Sequence, residues 1–188
     1  MNKKVTFATI FIYILLFFSV SYAEEPNSGR YTSSYTSIDE KDCTTLDSDD
    51  IGSIQECESF GDIRVKVLEG DMRQSITLIR QNVEYNLDFQ STTSTDFSTL
   101  GSKIEWRHEK GKPKNLKGII VRFEVYDDLD DLDKVHTYLV VSKITPHAIC
   151  IVGKIPPQSN QNELARAMLD SNEELPCLKE TNPLSDVP

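Results

Sequence analysis

The chain of 188 residues carries 30 Asp and Glu against 20 Lys and Arg, a formal charge of −10 with its three His neutral. A surface of that sign repels nucleic acid and anionic lipid headgroups, which sets both aside as partners. The length suits one domain with flexible ends.

The first 23 residues have the three parts of a cleavable secretory signal in order. Lys3 and Lys4 open it, Ile10 to Phe18 is an unbroken apolar run, and Ser21-Tyr22-Ala23 places small residues where a signal peptidase reads. A spanning helix needs roughly 20 predominantly apolar residues, and this run is shorter. The expected mature chain therefore starts at Glu24 with no membrane span, and no Cys follows the apolar run to take a lipid. Residues 24–34 are polar, with Pro26 and Gly29, and read as a disordered lead-in.

Tyr35 to Phe60 is rich in Asp, Ser and Thr, lacks apolar periodicity and reads as an irregular segment. It holds Cys43 and Cys57; Cys150 and Cys177 lie near the far end. An even Cys count in an exported chain implies disulfides, and four Cys allow three pairings. Neighbour pairing, Cys43–Cys57 and Cys150–Cys177, is expected, the second tying the C-terminal helix to the strand before it. There is no CxxC and no Cys–His spacing of the zinc type.

From Ile63 the pattern alternates. Ile63, Val65 and Val67 interleave with Arg64 and Lys66, Glu69-Gly70-Asp71 supplies a turn, and Met72, Gln74, Ile76 and Leu78 resume on one face. Residues 81–103 lack either period and read as a long loop, pinned by Phe89, Phe97 and Leu100. Ile104, Trp106 and His108 then pair across a turn at 110–113 with Ile119, Val121, Phe123 and Val125. The run DDLDDLD at 127–133 reads as a charged connection. It could offer carboxylates to calcium, but it lacks the central Gly and terminal Glu of an EF-hand loop. Thr137 to Val141 and Ala148 to Val152 form a third hairpin, the latter apolar on both faces as in a central strand.

Asn160 and Glu163 predict the start of a helix, with Leu164, Ala167, Met168, Ser171 and Leu175 along its buried face and Pro176 at its end. The expected architecture is a single α+β domain over residues 35–178: an antiparallel sheet of about six strands, one helix on one face, and a flexible tail at 179–188. Trp106 and Ile104 are expected under that helix. The opposite, polar face carries Arg64 and Lys66, together with the candidate binding residues Arg73, Glu105, Arg107, Arg122 and Glu124. An ordinary solvated face would also look like this.

The three His are scattered, no GxSxG, HExxH or P-loop occurs, and no cofactor or metal is expected. The residues fit a non-catalytic binding or interaction module taking an envelope protein or a small ligand. The alternatives are a hydrolase using a carboxylate pair, and a structural envelope component or exported effector. The succession YTSI at 35–38, Cys43, Cys57, EGDMR at 69–73, GSKIEWR at 101–107 and NELARAM at 162–168 resembles a family of uncharacterised exported bacterial proteins. The resemblance implies a bacterial source, export to the periplasm or beyond, and the four-Cys framework; it implies no catalytic activity.

Overall fold

The computed structural model describes residues 29–126 and 134–179. The expected signal segment, the acidic run at 127–133 and the tail from residue 180 lie outside the described residues. The elements in chain order are β1 (Tyr31–Ser37), β2 (Thr44–Ser48), β3 (Gly52–Phe60), β4 (Ile63–Gly70), β5 (Arg73–Arg80), β6 (Val83–Asn86), α1 (Phe89–Thr92), β7 (Phe97–Glu109), β8 (Lys112–Tyr126), β9 (Val135–Ile144), β10 (Ile149–Ile155) and α2 (Gln161–Asp170).

Alternating segments become hairpins because the register stacks their apolar residues on one face. Val65 lies opposite Leu78 and Val67 opposite Ile76 across β4 and β5. Ile104 meets Val121 and Trp106 meets Ile119 across β7 and β8. Gly111, at φ 75°, makes the tight turn between that second pair. In the third hairpin Thr145 accepts the Ala148 N–H on its hydroxyl and donates its own N–H to the Ala148 carbonyl.

The whole forms one ten-stranded mixed sheet, in the order β10-β9-β8-β7-β5-β4-β3-β2, with β1 paired to β7 and β6 to β5. This overturns the expected α+β domain of about six strands. The additional strands are β1, β2, β3 and β6; β1 and β2 are segments of mostly Ser, Thr and Tyr, whereas β3 and β6 carry Glu among their residues. Thr and Tyr favour extended backbone, but the partner of β1 lies far away in sequence: Tyr31 pairs with Glu109 and Ser37 with Lys103. β1 also starts inside the expected lead-in, and β6 and α1 occupy the expected long loop. All pairings are antiparallel except β5 to β7, which meet in parallel through the single pair Arg73 and Ser98.

The main core gathers Val65, Leu78, Trp106, Phe123, Val140 and Ile151, so strands from β4 to β10 surround one apolar volume and the sheet must coil around it. Arg80 closes the circuit, donating from Nη2 to the Thr145 carbonyl at 2.6 Å. Trp106 is wholly buried here, stacked on Phe60 at 5.1 Å, with its indole N–H donated to Thr36 Oγ1 at 2.8 Å.

Helix α2 packs on the other face, over Ile120, Val141, Val152 and Ile155, through Ala165 and Leu169. Trp106 is therefore not under the helix, and the expected arrangement of the two faces is reversed. Strands β8 to β10 are apolar on both sides, and the coiled sheet fills its inner side by itself. That leaves the outer apolar patch for the helix. β10, expected to be central, lies at the end of the strand order and owes its two apolar faces to core and helix. Glycines let the helix approach: a Cβ on Gly118 would fall 2.7 Å from Leu169 Cδ2.

The buried stripe of α2 is Gln161, Ala165, Leu169 and Asp170, whereas Leu164 and Ala167 are exposed. The helix ends at Asp170, before Leu175 and Pro176. Gln161 faces inward because its amide donates to the carbonyls of Thr137 and Ile155. The disulfides join Cys43 to Cys57 and Cys150 to Cys177. Past the second, the Leu178 N–H bonds the Ile151 carbonyl at 2.8 Å, laying the chain along β10.

Candidate functional site

The expected charged face is divided among four places. Glu105 and Arg107 lie beneath α2 and are each 8 % exposed. Arg107 forks onto Asp170, Nε to Oδ1 at 2.7 Å and Nη2 to Oδ2 at 2.5 Å, and its Nη1 donates to Ser33 Oγ at 3.1 Å. Arg166 forks likewise onto Glu105, at 2.6 and 3.0 Å, and reaches Tyr35 Oη at 3.2 Å. The match is geometric. Two residues along a strand advance about 6.7 Å, and four along a helix about 6 Å. Glu105 and Arg107 therefore align with Arg166 and Asp170, opposite in sign at both ends.

Burial pushes the Glu105 carboxyl up. The bonds from Arg166 and Ser33 outweigh that and leave it below the ordinary glutamate range. Arg166 is raised in turn by its bond to Glu105 and stays charged. Four charges so paired make a fastening between helix and sheet rather than an open binding face.

Arg122 and Glu124 lie further along β8. Arg122 is exposed, with its stem resting on Gly101, where a Cβ would fall 2.8 Å from Arg122 Cβ. Glu124 is half-buried between Thr99 and Thr137 on the neighbouring strands. On the outer face of β4, Arg64 pairs with Glu56 at 2.6 Å and Lys66 with Glu84 at 2.9 Å, solvent-screened pairs of small energetic weight.

Arg73 lies apart, at the seam where β5 and β7 meet. It donates to the Thr95 carbonyl and to Asp71 and lies 4.7 Å above the Phe97 ring. Beside it opens a pocket of about 210 Å³, lined by Met72, Phe97 and Tyr126 with Glu69, Gln74 and Ser98. The pocket exists because one residue pair joins the two strands here and the sheet is left incompletely sealed. Gln74 braces it, accepting the Leu100 N–H at 2.8 Å. The Ser98 hydroxyl is buried without a hydrogen-bond partner among the described residues.

Met72 is the unusual member. Asp71 and Met72 have φ of 50° and 58°, the paired left-handed conformation of a two-residue hairpin turn. The second position ordinarily takes Gly, since a Cβ there costs about 1–2 kcal/mol. Here it holds a bulky side chain, 55 % exposed at the pocket mouth. Sequence reasoning missed this cluster, treating Met72 as a strand residue and Phe97 as a loop anchor. The available signal was a hairpin turn reading Asp-Met where Asp-Gly is the cheap choice.

Among the described residues no three His, Cys, Asp or Glu side chains gather as metal ligands. His108 bonds Ser34 Oγ through Nε2 and the Glu109 carbonyl through Nδ1. No described helix is long and apolar enough to cross a membrane. No family model matches the chain, and neither a curated protein nor a solved structure does.

Proposed function

We propose that the protein is a non-catalytic interaction module of an oxidising, extracytoplasmic space, the bacterial periplasm first, and that its seam pocket receives an apolar side chain of a partner protein. The observation that carries the reading is Met72, held left-handed and exposed over Phe97 and Tyr126. Backbone strain retained at a turn that needs none belongs where a side chain has work to do. The pocket is smaller than those that enclose whole ligands, which run from about 300 Å³ upward, and suits a single anchoring side chain. The disulfides and the signal-like first 23 residues favour that compartment. The hydrolase alternative needs a carboxyl kept protonated near neutrality, and Glu105 is driven the other way.

Photo-crosslinking in the producing cell tests this, with a benzophenone side chain placed at Met72 or at Glu58, which is exposed near the far end of β3. A discrete adduct from position 72, absent from 58 and lost on Phe97→Ala, is expected. Equal labelling from both positions would refute the proposal.

A further inference from the structure

The seam pocket has a neighbour. A second depression of about 300 Å³ opens between the β2–β3 turn and the end of β4, lined in part by Asp47, Asp49, Ile51 and Ile54, and Glu69 belongs to both. Register explains the sharing: Ser53, Glu69 and Gln74 stand in one row across β3, β4 and β5. That row lies one step beyond Val67 and Ile76 of the core. The two turns are also tied, the Asp71 N–H donating to the Ile51 carbonyl at 3.1 Å. Ile51, 72 % exposed, and Met72 thus stand on adjoining tips.

The apolar tips are set among carboxylates. Asp47, Asp49 and Glu69 line the two depressions, Asp71 adjoins Met72, and the nearby Arg73 is committed to Asp71. Asp49 accepts the N–H groups of Ile51 and Gly52, which hold its carboxyl below the ordinary range and keep it charged. The Ser98 hydroxyl adds to the pocket wall a buried hydrogen-bonding group with no partner among the described residues.

Resting on the interaction reading above, we infer that the two depressions form one groove, and that its occupant is a partner segment with a Lys or Arg between apolar side chains. The cation meets Glu69 at the centre. One apolar side chain enters beside Met72 and Phe97, and another lies against Ile51. A second copy of this chain is disfavoured, because a molecule of charge −10 opposes its own acidic rim. An anionic membrane is disfavoured for the same reason.

Two capped peptides of equal apolar content test the charge, Phe-Lys-Leu-Lys-Phe and Phe-Glu-Leu-Glu-Phe, titrated into the purified protein while backbone amide shifts are followed. The basic peptide should bind about tenfold more tightly than the acidic one at low salt, and the preference should shrink in high salt. Glu69→Gln should reduce the preference while leaving shifts at Phe97, and Phe97→Ala should weaken both peptides. Phe97-dependent binding with no charge preference, or a preference unchanged by Glu69→Gln, overturns the basic occupant and leaves the apolar pocket standing. Absence of shifts at Phe97 with either peptide at millimolar concentration overturns the pocket and the groove together.

Discussion

Arg107 on β7 and Asp170 at the last turn of α2 form a two-pronged ion pair sealed between helix and sheet. Removing Arg107 takes from the buried Asp170 carboxylate both prongs of that pair. Arg107→Ala should therefore lower stability by about 3–5 kcal/mol, whereas the double replacement Arg107→Met with Asp170→Leu should be near neutral or stabilising. Urea unfolding of the single and double variants checks both, with Arg122→Ala, an exposed position, as the control that changes little.

Glu105 links the same fastening to pH. Its folded pKa is depressed below the ordinary value of 4.5. Its contribution is therefore complete above that value and is lost as pH falls through the lower, folded one. Thermal melts from pH 6 to pH 2.5 should show the wild type losing stability in that acid window. Glu105→Gln, already weaker at pH 6, should have the shallower profile there.

The Cys150–Cys177 bond closes a separation of 27 residues. Replacing both by Ala should cost about 3–4 kcal/mol. It should also release the strand-like contact that follows, so the Leu178 amide should exchange with deuterium much faster while amides in β4 and β5 change less. Equal acceleration throughout would show that the bond acts on global stability alone.

Met72 sets stability against binding. Met72→Gly relieves the left-handed backbone and should stabilise the fold by about 1 kcal/mol, less what Gly loses in chain entropy. The same variant should lose the position-dependent peptide shifts at Phe97. A Gly variant that is more stable and binds as before would separate the strained turn from the pocket.

The hairpins were legible because their signal is local: Val65 and Val67, or Val121 and Phe123, announce their face within a few residues. β1 and β2 carry no such signal. β2 is exposed along its whole length, and Tyr31 and Thr36 are buried only by what β7 and its neighbours bring. The side on which the helix would pack was written at Ile119 to Val121 and Leu139 to Ser142, buried residues in unbroken succession. Such runs mean that both faces are covered there, and the neighbouring Glu105 and Arg107 accordingly lie under the helix, while Arg122, beyond the run, is exposed. The opposite signs of Glu105–Arg107 and Arg166–Asp170, at strand and helix spacing, pointed the same way. The seam pocket depends on how far β5 and β7 stay paired, a tertiary property with no local mark.

The pairing of Tyr31 with Glu109 has a temporal side. Synthesis delivers about 5–20 residues per second, so β1 exists for several seconds before its partner strand does. During that interval its Ser- and Thr-rich face is an open edge, and its polarity keeps that edge hydrated. The first two cysteines use the same interval differently. Cys43 and Cys57 are 14 residues apart and can close while Cys150 is still unmade. Entry of the chain into an oxidising space N-terminus first would thus present Cys43 and Cys57 to each other before Cys150 arrives.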